Sequence, residues 1–342
     1  RMRRLIVIRV LMAIALVVIV ALFIGTEGSG RRFTMIECLS FSADGSRIAI
    51  SKLNGHDAQT PGKGYKADVS RTLSLIAAST GMTEAVIHQD VKCGNCGPAF
   101  SYWRLGRTSA IINPRNDCLI THAFGGGGLT QYCQGGEVET IGEIEHPALN
   151  IALSKSGKLV AASGWSSLTI FETATRKQVM DKELEQLEFS PFLSASFLAF
   201  SDDETRIAVA NVEGIQIWDI STGTRLSAVI EGHQRSVEAI AMAPDDTLLV
   251  CSNEGVQRFD FSGDVVATLT DSKNCRVCCV SNDGRHAALI ADGNVLIFDL
   301  VTTKRTNTVR MESATALAFS PDAQSIAIGD GYGNVSLIDV ST

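Results

Sequence analysis

The sequence predicts an all-β body, a ring of seven four-stranded antiparallel blades, preceded by one transmembrane helix. Three observations predict it. A unit of alternating strands and tight turns recurs roughly every 40 residues, as propeller blades do. One apolar run, and only one, is long enough to cross a bilayer. The 342 residues are 45% apolar and 20% charged, with mean hydropathy +0.15, which supports a large core and excludes both a disordered chain and a polytopic membrane protein.

Residues 5–24, LIVIRVLMAIALVVIVALFI, are the apolar run. Twenty helical residues cover about 30 Å, the thickness of the hydrocarbon core. Arg9 is the one charge, placed near the start, where a long side chain snorkels to the interface. Gly25-Thr26-Glu27 follows, with no small-x-small cleavage site and no lipid-acceptor Cys, so a retained signal-anchor is favoured over a cleaved signal peptide. Arg1, Arg3, Arg4 and Arg9 precede or open the run and Arg31 and Arg32 follow it, a bias that predicts residues 25–342 on the non-cytoplasmic side. Removing those four Arg from the 30 basic residues leaves 26 against 37 acidic ones. An acidic body argues against nucleic acid as a partner, because phosphate binding needs clustered Lys and Arg.

Residues 25–34 read as a linker or closing strand, and residues 35–342 as the propeller. Each copy opens with a strand ending in a turn such as Phe41-Ser42-Ala43-Asp44-Gly45, Phe200-Ser201-Asp202-Asp203, Val280-Ser281-Asn282-Asp283-Gly284 or Phe319-Ser320-Pro321-Asp322. The third strands count the blades: 73–78, 129–133, 168–172, 215–219, 256–260, 295–299 and 335–339. Such a blade buries its faces only by stacking on its neighbours. In the second copy, Phe100-Ser101-Tyr102 stands where the turn motif is expected.

These residues resemble the WD40-type β-propeller family, most strongly from about 195 to 342. Trp218-Asp219 is the one Trp-Asp pair; Phe259-Asp260, Phe298-Asp299 and Ile338-Asp339 occupy the equivalent place, and Gly232-His233 precedes a first strand. The resemblance implies that Trp218, Asp219, His233, Asp260, Asp299 and Asp339 are structural repeat positions. It also implies that an N-terminal strand closes the last blade. That strand is expected near Glu27, yet IGTEGSG (24–30) is a poor strand former.

Antiparallel strands a-b-c-d put the b–c and d–a loops at one end of the ring. The long insertions fall there: residues 53–71 between strands b and c of blade 1, 90–98 before blade 2, 113–128 in blade 2 and 181–194 before blade 4. Long loops on a rigid scaffold carry binding function. This face is the expected site for a protein or peptide partner, with His56, Asp57, Tyr65 and Lys66 as partner-binding candidates.

Nine cysteines raise metal and redox readings. Cys38, Cys278 and Cys279 align with Ala316, Leu317 and Ala318 on first strands, and Cys251 with Gly329 on a second strand, so these four read as core packing. Cys275 and Cys278 have metal spacing, but along a strand. Cys93 and Cys96 lie in an insertion. A disulfide, unpaired thiols and half of a zinc site all fit them, with Cys118, Cys133 and His122 as possible completions of the last. Gly-x-Ser-x-Gly, His-Glu-x-x-His and P-loop motifs are absent, and no cofactor is expected. The leading reading is a membrane-tethered, non-catalytic scaffold. The rival is a propeller enzyme, or a small-ligand or metal sensor, with its site at the channel mouth or at Cys93 and Cys96.

Overall fold

The computed structural model describes residues 32–341, apart from 61–63, 93–109, 123–127, 134–136, 145–149, 165–166, 185–196, 212–213, 227–236, 253–254, 271 and 273–274. The expected anchor at 5–24, the stretch 24–30, His233 and the pair Cys93 and Cys96 lie outside those residues. Among the described residues no helix is long and apolar enough to cross a membrane.

Seven antiparallel sheets follow one another along the chain. Blade 1 comprises β1 (Arg32–Phe41), β2 (Arg47–Thr60), β3 (Gly64–Ala77) and β4 (Thr83–Lys92). Blade 2 is β5 (Ala110–Ile112), β6 (Leu119–His122), β7 (Leu129–Tyr132) and β8 (Val138–Gly142). Blade 3 is β9 (Asn150–Leu153), β10 (Leu159–Ser163), β11 (Ser167–Glu172) and β12 (Gln178–Glu183). Blade 4 shows β13 (Phe197–Phe200), β14 (Arg206–Asn211) and β15 (Gly214–Asp219). Blade 5 is β16 (Ala239–Met242), β17 (Leu248–Ser252), β18 (Gly255–Phe259) and β19 (Val265–Thr270). Blade 6 is β20 (Val277–Val280), β21 (His286–Ala291), β22 (Asn294–Asp299) and β23 (Lys304–Arg310). Blade 7 shows β24 (Ala314–Phe319), β25 (Ser325–Asp330) and β26 (Val335–Asp339). All seven expected third strands are present. Blades 4 and 7 have three strands each among the described residues.

The first strands neighbour one another around a closed ring, β1 beside β5, β5 beside β9, and so on to β24 beside β1. One apolar cluster fills each gap between blades. The ring closes by face packing: Ile36, Leu39, Ile48 and Ile50 of blade 1 bury against Ala316 and Ala327 of blade 7. The Thr315 hydroxyl donates to the Ile36 carbonyl across the same seam, at 2.6 Å. Gly329 fits there because it lacks a side chain; a Cβ would lie 2.5 Å from Ile36.

A repeated hydrogen-bond circuit shapes the a–b turns. Ser42, Ser201, Ser281 and Ser320 each donate their hydroxyl to the Asp two residues on, at 2.6, 2.6, 2.6 and 2.5 Å. Each hydroxyl also accepts a backbone N–H five residues on, at 2.9 to 3.0 Å. The serines are buried, so both bonds satisfy polar atoms that would otherwise cost stability. Bonds from these Ser hydroxyls hold the Asp44, Asp203 and Asp322 carboxyls below the ordinary Asp range. At Asp283 burial pushes upward, but the bonds from Ser281 and the Arg285 N–H outweigh it. A second circuit closes the c–d turns. Asp219, Asp260, Asp299 and Asp339 accept the N–H groups of Thr222, Ser262, Thr302 and Ser341, at 2.8, 2.9, 2.7 and 2.7 Å.

Blade 2 corrects two expectations. Its turn is Asn113-Pro114-Arg115-Asn116-Asp117, after β5, and not Phe100-Ser101-Tyr102. Two asparagines replace the Ser–Asp circuit here: the Asn113 side-chain oxygen accepts the Arg115 N–H at 3.0 Å, and that of Asn116 accepts the Cys118 N–H at 3.1 Å. The stretch 113–128 is therefore not one loop, since it holds this a–b turn and all of β6. In the stretch 181–194, residues 181–183 finish β12.

Candidate functional site

The expected 53–71 loop is a sheet. Strands β2 and β3 are 14 residues each, whereas the b and c strands of the other blades have four to six. Pairing continues without a break from Arg47 opposite Ala77 to Thr60 opposite Gly64. The excess of about eight residues per strand carries the hairpin roughly 25 Å beyond the blade. Polar residues and glycine made this stretch read as loop. Pairing on both flanks overrides that propensity, as β propensity yields to context: Arg32 of β1 lies opposite His56, and Lys92 of β4 opposite Asp68. The candidates sit on the projecting part, His56 opposite Asp68, Asp57 opposite Ala67, Lys66 opposite Ala58 and Tyr65 opposite Gln59.

The hairpin has a buried root. In register with blade 6, a regular c strand would begin at Thr72, so Arg71 is the first residue of the extension. The Arg71 side chain is fully buried and that of Glu37 on β1 is 6% exposed. The guanidinium grips the Glu37 carboxylate with both arms, Nε to Oε2 at 3.0 Å and a terminal nitrogen to Oε1 at 2.9 Å. Ser51 adds a hydroxyl bond to Oε2 at 3.0 Å. Leu53, opposite Arg71, is buried too. Sequence reasoning missed this pair, although the alternation was visible: Arg71 shares a face with Leu73 and Leu75.

Beside this root opens the central channel, a cavity of about 380 Å³. Its walls come from the first strands of several blades: Met35 and Glu37 of β1, Asn150 of β9, Phe197 of β13, and Thr315 of β24. Glu238 and Arg276, each one residue before a first strand, complete it. Most of these residues stand at or just before the start of strand a, so the cavity opens at the d–a end, where the hairpin projects. Glu37 belongs both to the cavity wall and to the hairpin root.

Cys118 and Cys133 form a disulfide, 15 residues apart in sequence, across the ends of β6 and β7. This corrects their reading as completions of a zinc site, since bonded sulfurs are not thiolate ligands. His122 is buried within β6. Among the described residues no group of three or more His, Cys, Asp or Glu could hold a metal ion. Cys38 and Cys251 are buried in inter-blade clusters, and Cys278 and Cys279 pack against them half-buried, as core side chains should.

Residues 224–256, from the c–d turn of blade 4 into β18 of blade 5, match the WD domain, G-beta repeat. Fold and match together support a WD40 β-propeller. Curated relatives agree. The chain is 24% identical over 201 residues to "Transcriptional corepressor LEUNIG_HOMOLOG" of Arabidopsis thaliana, covering 56% of this chain and 24% of that protein. It is 23% identical over 201 residues to "WD repeat-containing protein WDS homolog" of the same plant, covering 56% and 38%. It is 26% identical over 178 residues to "Guanine nucleotide-binding protein subunit beta-like protein" of Encephalitozoon cuniculi, covering 42% and 53%. The chain thus spans between about a quarter and about half of the length of these relatives. Trp218 packs half-buried against the blade 3–4 cluster, and Asp219 closes its turn.

Proposed function

We propose that this chain is a membrane-tethered, non-catalytic WD40 scaffold that binds a protein or peptide at the end bearing its b–c and d–a loops. One observation carries the reading: among the described residues blade 1 alone extends both of its middle strands, to 14 residues each, at the end where the channel opens. The projecting strands stand on a root fixed by the buried Arg71–Glu37 pair. The relatives, named as a corepressor and a G-protein β-like subunit, favour an interaction role. The apolar run at 5–24 supports a tether, with the propeller on the non-cytoplasmic side. The acidic body speaks against a nucleic-acid partner.

The test is a cross-linked pull-down with the full chain beside a trimmed variant. Asn54 lies opposite Ser70, so residues 55–69 can be replaced by an Asn-Gly turn that keeps Leu53 and Arg71. A partner recovered with the full chain and lost on trimming supports the reading. Equal recovery by both places the interaction elsewhere. Alkaline extraction of membranes, with residues 5–24 present or deleted, tests the tether: release of the full chain into the soluble fraction refutes it.

A further inference from the structure

The sulfurs of Cys251 and Cys275 lie 2.6 Å apart in the apolar cluster between blades 5 and 6. That is about half an ångström beyond the ~2.05 Å of a disulfide bond. Cys251 is on β17, strand b of blade 5, and Cys275 lies just before β20, in the run entering blade 6. Both are buried, at 0% and 1% exposure. Cys278 of β20 packs half-buried on the same cluster, while its neighbour Cys279 points to the opposite face, into the blade 6–7 cluster. The chain already forms one disulfide, Cys118–Cys133.

We propose that Cys251 and Cys275 are a second disulfide site, one that ties strand b of blade 5 to the entry of blade 6 and leaves Cys278 as the odd thiol beside it. The bond encloses β18 and β19, the outer hairpin of blade 5, in a covalent loop. The oxidant is a low-molecular-weight disulfide, RSSR. One cysteine thiolate attacks a sulfur of RSSR, forming a mixed disulfide and releasing RS⁻. The second thiolate displaces the remaining RS⁻, forming the Cys251–Cys275 bond. Two protein thiols are oxidised, one RSSR is reduced to two RSH, and the two thiol protons end on RSH. Burial raises the Cys251 thiol well above its ordinary range, with the neighbouring thiols of Cys275 and Cys278 adding to the shift. A protonated, enclosed thiol exchanges slowly, so the bond closes while the two blades are apart and is protected once they pack.

The sequence makes the test clean. Trypsin places Cys251 in 236–258, Cys275 in 274–276 and Cys278 in 277–285. The full chain is opened in urea with oxidised glutathione under conditions that join Cys118 to Cys133. It is then refolded, alkylated without reductant, digested and weighed. The expected product is 236–258 joined to 274–276, lost on reduction. Two alkylated peptides, or 236–258 joined to 277–285, overturn the assignment. The C278A variant should keep the bond and the C275A variant should lose it. Loss of the bond in C278A also overturns the pairing.

Discussion

Blades 1 and 6 are built from the same meander and differ in what their middle strands are asked to do. In blade 6, β21 and β22 are six residues each, and their central positions are apolar and buried on both faces. In blade 1, the same two strands start in the same register and then continue past the blade. At the point of departure the apolar pattern is replaced by Arg71, Glu37 and Ser51. A regular blade needs only neighbours to cover it. An extended blade needs a rigid joint where the cover ends, and a bidentate ion pair supplies direction that apolar contact lacks. Blade 6 shows what the repeat requires, and blade 1 shows what has been added to it.

The sharpest way to break this comparison is Arg71→Met. It leaves the Glu37 carboxylate buried without its bidentate partner, and the expected loss is about 3–5 kcal/mol of unfolding free energy. Replacing both, R71M with E37L, should recover most of that loss, because an apolar pair of similar volume restores cover. Urea unfolding of the three proteins decides it. If the double variant keeps stability but loses partner capture, the ion pair serves the hairpin's direction more than the fold.

A regular seam is the next target. Gly329→Ala places a methyl 2.5 Å from Ile36, where blade 7 meets blade 1. Overpacking of this kind costs about 1–3 kcal/mol. The backbone there needs no special conformation, so the whole effect reports on ring closure. A shift in thermal midpoint no larger than that of a surface Gly→Ala variant would show that the seam yields easily.

The regular blades were the most legible part of the sequence. Their c strands alternate, end in Asp and sit between Gly or Asn turns, so local chemistry and fold agree at each site. Blade 2 was legible only in its outer half, because Asn113 stands where blades 1, 4, 6 and 7 carry the Ser of the Ser–Asp circuit. The hairpin was read as loop because its residues are polar, and its pairing depends on flanks contributed by β1 and β4. Arg71 and Glu37 carried a readable signal, opposite charges on buried faces, but one that needs the register of three strands to interpret. The Cys251–Cys275 contact joins a strand to a connection, which no periodicity reports.

Acid should separate the blades by their turns. Asp44, Asp203, Asp283 and Asp322 carry depressed carboxyls in blades 1, 4, 6 and 7, whereas the turns of blades 2, 3 and 5 lack the Ser–Asp circuit. A depressed folded value means stability that is present above the unfolded carboxyl range, near ~3.9, and lost as pH falls through the folded value. The urea midpoint should therefore hold between about pH 7 and 5 and drop below about 4. In D322N the drop should be smaller than in the parent, because one contributing carboxyl is gone. An unchanged drop would assign acid sensitivity to other carboxylates.

The smallest effect compares two equivalent turn glycines. Gly45 and Gly284 follow the turn Asp in blades 1 and 6 with φ +71° and +70°, and both face a proline of the preceding blade in the ring. A Cβ at Gly45 would meet Pro321 at 3.5 Å, an ordinary contact, whereas at Gly284 it would meet Pro244 at 2.7 Å. Gly45→Ala therefore reports the left-handed backbone alone, about 1 kcal/mol. Blade 7 tolerates that strain, since Ala323 holds φ 58° at the same position. Gly284→Ala adds displacement of a proline ring and should cost measurably more, about 2 kcal/mol by urea unfolding. Equal costs would mean that the blade 5–6 turns can separate without loss. Neighbouring blades would then communicate through their apolar clusters and not through their turns.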